Sequence, residues 1–175
     1  MIKTEYPIDA VVTWVDGNDP AHKAKRAMYG KKDESRNDDI GGDIRYTSVG
    51  EIKYCIASLL RFAPFLRTIW LITDNQDPII WAVWGQHFPG QSSKVRIVEH
   101  AVLYRGYSQY LPVFNSLSIE TVMWRIPGLS EHFIYLNDDF MLVAPTTPSD
   151  YFVGEKAVGY AMWFSLPFAN LLQFL

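Results

Sequence analysis

Residues 8–20 read IDAVVTWVDGNDP. A run of apolar, β-branched residues stops at a cluster of Asp, Gly, Asn and Pro, the pattern of a core strand ended by a turn. A strand is therefore expected over 8–15. Asp19 stands where an N-cap belongs, with Pro20 at the first helical position, and PAHKAKRAMYG (20–30) reads as a short helix closed by Gly30. KKDESRNDDIGGDI (31–44) is polar with a glycine pair, as in a mobile surface loop. A second helix follows. Ser48 and Glu51 form a capping box. Ile52, Cys55, Ile56, Leu59, Leu60 and Ala63 then share one helical face before Pro64.

The alternation continues. TIWLIT (68–73) reads as a strand ended by DNQDP, and KVRIVEH (94–100) as another. NSLSIETVMWRI (115–126) reads as a helix capped by Asn115 or Ser116, burying Ile119, Val122, Met123 and Ile126. HFIYLND (132–138) has the apolar character of a buried strand, and KAVGYAMW (156–163) reads as one more. Strands interleaved with helices predict an α/β fold, a Rossmann-like, mostly parallel sheet flanked by helices. With no repeat or dividing linker, residues 1–175 are expected to be one domain. The apolar finish FSLPFANLLQFL (164–175) is expected either to fold back as an amphipathic helix or to mark a chain cut inside a larger domain.

Composition narrows the classes. The 175 residues are 49% hydrophobic and 20% charged, enough for a sizeable core. A formal net charge of −3 offers no positive field to a nucleic-acid backbone, so no nucleic-acid partner is expected. One cysteine, Cys55, excludes an internal disulfide framework and a multi-cysteine zinc site, and fits a reducing, cytoplasmic setting. The N-terminus lacks the pattern of a signal peptide, and no apolar run nears the ~20 residues that span a bilayer. Any membrane association is thus expected to be peripheral.

Three polar clusters end predicted strands: Trp14-Val15-Asp16-Gly17, Thr73-Asp74-Asn75-Gln76 and Asn137-Asp138-Asp139. In parallel sheets, ligands bind beyond the carboxyl ends of strands, so these clusters are expected on one edge. Asp16-Gly17 and Asp74-Asn75 also suit plain turns. Adjacent carboxylates Asp138 and Asp139 at the end of an apolar strand need a cation, donors or water to offset their repulsion. A Mg²⁺ ion shared with substrate phosphates would serve, as would one carboxylate on a metal and one acting as base. Asn115 and Ser116 suit both a helix cap and anion binding. Arg45 suits either a phosphate contact or a solvated charge. The histidines lack ligand spacing, and His22 is expected on the exposed side of its helix. Cys55 reads as a packing residue. Trp81 and Trp84 suit a sugar platform, or more simply packing.

The same residues resemble a known family. IDAVVTWVDGNDP is similar to the first signature of the Stealth proteins. IRYTSVGEIKYCIASLLRFAPFLRTIWLITDNQDP, followed by YLPVFNSLSIETVMWRIPGLSEHFIYLNDDFML, resembles their long second signature. The match runs over about 8–20 and 44–143. The resemblance implies a hexose-1-phosphate transferase with a GT-A-like or Rossmann-like domain. Such enzymes build phosphodiester-linked capsule or exopolysaccharide in bacteria, and an animal relative makes the mannose-6-phosphate tag. It implies a UDP-sugar donor, commonly UDP-N-acetylglucosamine, and a glycan or lipid-linked oligosaccharide acceptor. UMP would be the leaving group, with Mg²⁺ or Mn²⁺ as cofactor, and the chain would work beside capsule machinery at the inner face of the membrane. By motif, Asp138 and Asp139 fall at the catalytic centre, one of them as metal ligand. Trp14, Val15, Asp16 and Gly17 fall in the donor site, where Arg45, Asn75, Asn115, Ser116 and Asn137 are also expected. The family's third and fourth signatures, which bring a histidine and an arginine, do not follow, so the chain reads as the N-terminal part of a Stealth catalytic domain. The alternatives are a conventional UDP-sugar glycosyltransferase and an inactive donor-binding fragment.

Overall fold

The computed structural model describes residues 5–29, 46, 48–78 and 86–161. The expected loop at 31–44, Arg45, the Trp81 and Trp84 pair and the apolar finish from 164 lie outside the described residues. Strands β1 (Ile8–Thr13), β2 (Ile69–Thr73), β3 (Val95–Glu99) and β4 (His132–Asn137) form a parallel sheet in the order β3-β2-β1-β4. Every residue of β1 and β2 is buried, which is why IDAVVT and IWLIT are near-continuous apolar runs rather than alternating ones. No helix among the described residues is long and apolar enough to cross a membrane.

Helices cover both faces. Helix α1 spans Pro20–Tyr29, and α2 spans Glu51–Phe62. On one face α2 packs Ile52, Cys55, Ile56 and Leu59 against Ile8, Ala10, Val12 and Trp14 of β1 and its exit. The predicted buried face of α2 is realised in full, Ala63 included. On the other face, Val11, Trp70 and Ile72 meet Leu103, Ile119, Met123 and Ile126. Leu103 ends a short helix, α3 (His100–Leu103), and Ile119 sits on α4 (Ser116–Glu120).

Four local expectations change. Ser48 and Glu51 do pair, but Glu51 accepts from the Val49 N–H at 2.9 Å and Ser48 from the Gly50 N–H at 3.3 Å, so the helix starts at Glu51, after a left-handed Gly50. The helix expected over 115–126 stops at Glu120 and resumes as a single 3₁₀ turn, Met123–Arg125. The Thr121 hydroxyl bonds back to the Ser118 carbonyl at 2.8 Å, and β-branched Thr121 and Val122 favour the break. Ile119, Met123 and Ile126 stay buried, while Val122 is only partly so. Strand β4 is half-buried rather than buried, because among the described residues it is one of the two outer strands of this sheet. Of the strand expected over 156–163, residues 162 and 163 lie outside the described residues, and the rest forms only β6 (Lys156–Ala157), paired antiparallel with β5 (Phe152–Val153) across a tight turn as a separate two-stranded sheet.

One charged group lies inside the sheet. Asp9 of β1 is fully buried. Arg67 donates to it twice, Nε to Oδ1 at 2.9 Å and Nη2 to Oδ2 at 2.6 Å. Trp70 Nε1 and the Ser130 N–H add bonds to Oδ2 at 3.0 and 2.9 Å. Burial pushes this carboxyl up, but the hydrogen bonds and the Arg67 charge outweigh it and hold it below the usual range. A depressed folded-state value stabilises above the unfolded value of about 3.9 and is lost as pH falls through the folded one. Asp9→Asn is expected to cost about 2 kcal/mol at pH 7, by removing the buried carboxylate that accepts from the half-exposed Arg67 and from the Trp70 and Ser130 N–H groups. Urea unfolding would show the gap to wild type closing as pH drops below about 4.

Candidate active site

The sheet's carboxyl edge gathers the polar clusters. Parallel register sets Thr13 of β1 beside Asn137 of β4 on one side and Ile72 of β2 on the other. In the order β3-β2-β1-β4, the direction in which strands are added reverses between β1 and β4. That switch point opens the crevice where α/β sheets bind ligands. The residues after Thr13, after Thr73 and at Asn137 therefore lie around one crevice.

Beyond β1 the chain is a clamped loop. The Gln76 side chain grips the Asp16 backbone twice: the Asp16 N–H donates to Oε1 at 2.9 Å, and Nε2 donates to the Asp16 carbonyl at 3.0 Å. The Asp16 carboxylate accepts from the Asn18 N–H at 2.8 Å and closes a turn, as its Asp-Gly pairing suggested. Gly17 is required by close approach, since a Cβ there would lie 1.8 Å from the Tyr46 carbonyl oxygen. Tyr46 in turn donates its hydroxyl to the Phe114 carbonyl at 3.0 Å and lies under the Arg26 guanidinium at 3.7 Å. Trp14 is buried in the α2-side core, and its Nε1 is buried without a partner among the described residues. Val15 and Asp16 are half-buried.

Beyond β4, the Asn137-Asp138-Asp139 turn leans on α2. Phe140 N–H closes the turn on the Asn137 carbonyl at 3.2 Å, and the Cys55 thiol approaches the same oxygen at 3.8 Å. Asn137 and Asp139 are exposed, and Asp138 is half-buried. Burial, joined by the negative charges of Asp139 and Glu51, raises the Asp138 carboxyl to about 6, against the pull of the Asp138 and Asp139 backbone N–H groups. Burial, with the Asp138 and Asp139 charges, pushes the Cys55 thiol up to about 12, so Cys55 is an inert packing group here. Among the described residues no three His, Cys, Asp or Glu side chains group closely enough to hold a metal ion by themselves.

Two residues that the sequence reading did not single out complete this corner. The Tyr135 hydroxyl lies 2.8 Å from Asn137 Oδ1, 3.2 Å from Glu120 Oε1 and 3.0 Å from Thr13 Oγ1. It ties α4 to the ends of β1 and β4 and adds the Glu120 carboxylate to the crevice. Asn115 caps α4 by accepting from the Leu117 N–H at 3.0 Å, with Ser116 as the first helical residue. At five residues, α4 contributes little helix dipole.

The β2 exit also differs from expectation. Asn75 takes a left-handed φ of 56° and donates its N–H to Glu99. Asp74 turns inward to Lys25 at 2.7 Å and His22 at 3.3 Å. His22, expected on the exposed side of α1, is 2% exposed: its N–H is capped by Asp19 at 2.7 Å and its ring packs against Phe114 and Tyr46. Burial raises the Asp74 carboxyl, but Lys25, His22 and His100 outweigh it and leave it lowered. His100 is held neutral, pushed down to about 4 chiefly by burial. No spacing signal joins His22, Lys25, Asp74 and His100; only the fold does.

Comparison with known proteins supplies a family. The model of Stealth protein conserved region 2 matches residues 45–159, and that of conserved region 1 matches residues 6–34. The region 2 match runs past the Asn137-Asp138-Asp139 turn to take in the β5–β6 ribbon. The chain is 41% identical to an exopolysaccharide phosphotransferase of Streptomyces coelicolor, over 89% of this chain and 27% of that protein. It is 41% identical to a receptor polysaccharide phosphotransferase of Streptococcus oralis, over 83% of this chain and 41% of that one. A capsular polysaccharide phosphotransferase of Streptococcus pneumoniae is 39% identical over 83% of this chain and 41% of its own length. The chain thus spans between a quarter and two-fifths of the length of these relatives.

The raised Asp138 carboxyl has a testable sign. A folded-state value near 6 stabilises fully below the unfolded value of about 3.9, and that stability is lost as pH rises through the folded one. Asp138→Asn is therefore expected to match wild type near pH 4 and to exceed it at pH 7.5. The unscreened gain would be ~3 kcal/mol, and exposure to solvent reduces it to ~1–2 kcal/mol. Urea unfolding in chelator-containing buffer at both pH values measures it, and equal stabilities at pH 7.5 would contradict the burial of this charge.

Proposed function

This chain belongs to the Stealth family, and on that premise we propose that its carboxyl-edge crevice moves a hexose 1-phosphate from a UDP-sugar to a glycan hydroxyl in capsular or exopolysaccharide synthesis. N-acetylglucosamine 1-phosphate is the leading case, and a free or lipid-linked oligosaccharide beside membrane capsule machinery is the acceptor. One observation carries this reading: the strand-end clusters of both Stealth regions, Trp14 to Gly17 and Asn137 to Asp139, flank one switch-point crevice. The names of the relatives, polysaccharide phosphotransferases all, agree with it.

In the proposed reaction the acceptor oxygen bonds to the β-phosphorus, and the bond from that phosphorus to the bridging oxygen breaks. UMP departs, and the hydroxyl proton passes to a base. Both the attacked group and the leaving group are anionic, so the work is alignment and charge neutralisation. The clamped Trp14–Gly17 loop presents fixed backbone to the donor, with Asn75, Asn115 and Ser116 as further donor contacts, and Arg45, outside the described residues, is assigned to the donor by its motif alone. Asp138 or Asp139 would hold a Mg²⁺ or Mn²⁺ ion together with diphosphate oxygens. Two carboxylates without a third protein ligand suit a cation that takes the rest of its shell from water and substrate phosphate. Bound there, the ion supplies Lewis-acid stabilisation of the phosphoryl oxygens. Asp139, the more exposed of the pair, faces solvent and incoming ligand, whereas Asp138 is lodged against α2.

The test is product identity. With UDP-N-acetylglucosamine, Mg²⁺ and a glycan acceptor, chromatography of the nucleotide is expected to show UMP. Asp139→Asn is expected to lower turnover at least ~100-fold, about 2.7 kcal/mol of barrier, with an unchanged circular dichroism spectrum. Release of UDP would mean that the sugar moves without its phosphate and would overturn the reading. Unchanged turnover in Asp139→Asn would overturn the site.

A further inference from the structure

Tyr107, Tyr110 and Trp124 are 51%, 63% and 69% exposed. Single exposed aromatics are ordinary, but these are joined. The Tyr107 and Tyr110 rings stack with centroids 6.4 Å apart and planes 28° apart. The Arg125 guanidinium lies 4.9 Å from the Tyr107 centroid and 6.0 Å from that of Trp124, linking all three rings into one strip.

The strip is held in place before any ligand arrives. Trp124 Nε1 donates to the Thr121 carbonyl at 3.0 Å, which fixes the indole against its own 3₁₀ turn. Arg125 Nη2 donates to the Arg105 carbonyl at 2.6 Å, which fixes the guanidinium and leaves its other donors unspent by that bond. Tyr104, just before the strip, donates its hydroxyl to the Ser118 carbonyl at 3.0 Å and anchors this loop to α4. Trp124 follows by four residues the Glu120 that reaches the crevice through Tyr135. The strip therefore begins one turn along the chain from a residue of the crevice.

Flat, preorganised rings present the faces on which the apolar sides of pyranose rings stack. A guanidinium among them presents paired N–H donors to an anion of phosphate geometry. Under the reading proposed above, each transfer leaves a phosphodiester in the product, so a polymer extended by repeated transfer is a chain of sugar rings interrupted by negative charges. Rings alternating with a cation complement such a chain in shape and in charge. We infer that Tyr107, Tyr110, Trp124 and Arg125 form a platform that binds the phosphodiester-bearing acceptor polysaccharide outside the reacting centre. This inference rests on the phosphotransferase reading and deepens it by naming the acceptor's chemistry.

Calorimetry tests binding apart from turnover. The probe is an oligomer of N-acetylglucosamine joined through 1-phosphate diesters, with a chitooligosaccharide of equal length and an inorganic polyphosphate beside it. UDP-N-acetylglucosamine is titrated separately. The phosphodiester oligomer is expected to bind more tightly than the other two. Trp124→Ala and Tyr107→Ala are each expected to weaken it at least tenfold. Arg125→Gln is expected to weaken it about fivefold and to flatten its salt dependence, while leaving the neutral oligosaccharide unaffected. All three variants are expected to keep the wild-type affinity for UDP-N-acetylglucosamine, since none of these residues lines the donor loop. The inference is overturned if Trp124→Ala and Tyr107→Ala leave oligomer affinity within twofold. It is overturned too if polyphosphate binds equally well with the same sensitivities, or if Trp124→Ala instead dissolves a dimer of this chain. Donor binding or UMP release that fails while the oligomer still binds through these rings counts against the transferase reading alone.

Discussion

The buried carboxylate of Asp9 aligns the sheet on which everything else is mounted. It sits on β1 and takes bonds from Arg67 and Trp70, before and within β2, and from Ser130, just before β4. Arg67 also reaches the Gly128 carbonyl at 2.8 Å, drawing the approach to β4 into the same knot. A charge without water is tolerated only when its acceptor sites are filled, and here the filling groups come from β2 and from the segments leading into β2 and β4. Those bonds are met in one register alone. A one-residue slip would turn Asp9, and every side chain of its strand, to the opposite face.

Register set at the amino edge decides what emerges at the carboxyl edge. Because Ile8 pairs with His132, Thr13 arrives beside Asn137, and the loop after β1 opens next to the Asn137-Asp138-Asp139 turn. The β2 exit then holds that loop. Asp74 is anchored to α1, Asn75 turns in the left-handed region, and Gln76 closes two bonds on the Asp16 backbone. Rigid backbone on one side and carboxylates on the other would supply what the proposed phosphoryl transfer needs: alignment and a place for countercharge. The Asp138 carboxylate is costly to keep charged, chiefly because it is buried and then because Asp139 and Glu51 stand near it, as its raised value records.

Local pattern was enough for the parts whose neighbours are close in sequence. The apolar run of β1, the i, i+3, i+4 face of α2 and the Asp19 and Asn115 caps are all local, and all form as read. So is the sharing of one edge by three polar strand ends, since parallel strands leave no other arrangement. What escaped depends on contacts distant in the chain. His22 looked solvent-facing on a short polar helix, yet Asp74, Tyr46 and Phe114 bury it. HFIYL was too apolar to betray that β4 is an outer strand, because sheet order is not written in any one strand. Glu120 carried no signal of its own within the expected helix over 115–126; the break after it and the Tyr135 hydroxyl place it at the crevice.

Under the proposed function these strand ends make one donor site at the carboxyl edge. Amide chemical-shift mapping of the ¹⁵N-labelled protein, titrated with UDP-N-acetylglucosamine and Mg²⁺, addresses it directly. Saturable shifts that share one dissociation constant are expected at Asp16, Gly17, Asn75, Gln76 and Asn137 to Asp139, with Asp9, Gly128 and Ser130 at the opposite edge unmoved. Shifts confined to the amino edge, or shifts at the β1 and β4 ends that saturate at different concentrations, would contradict it.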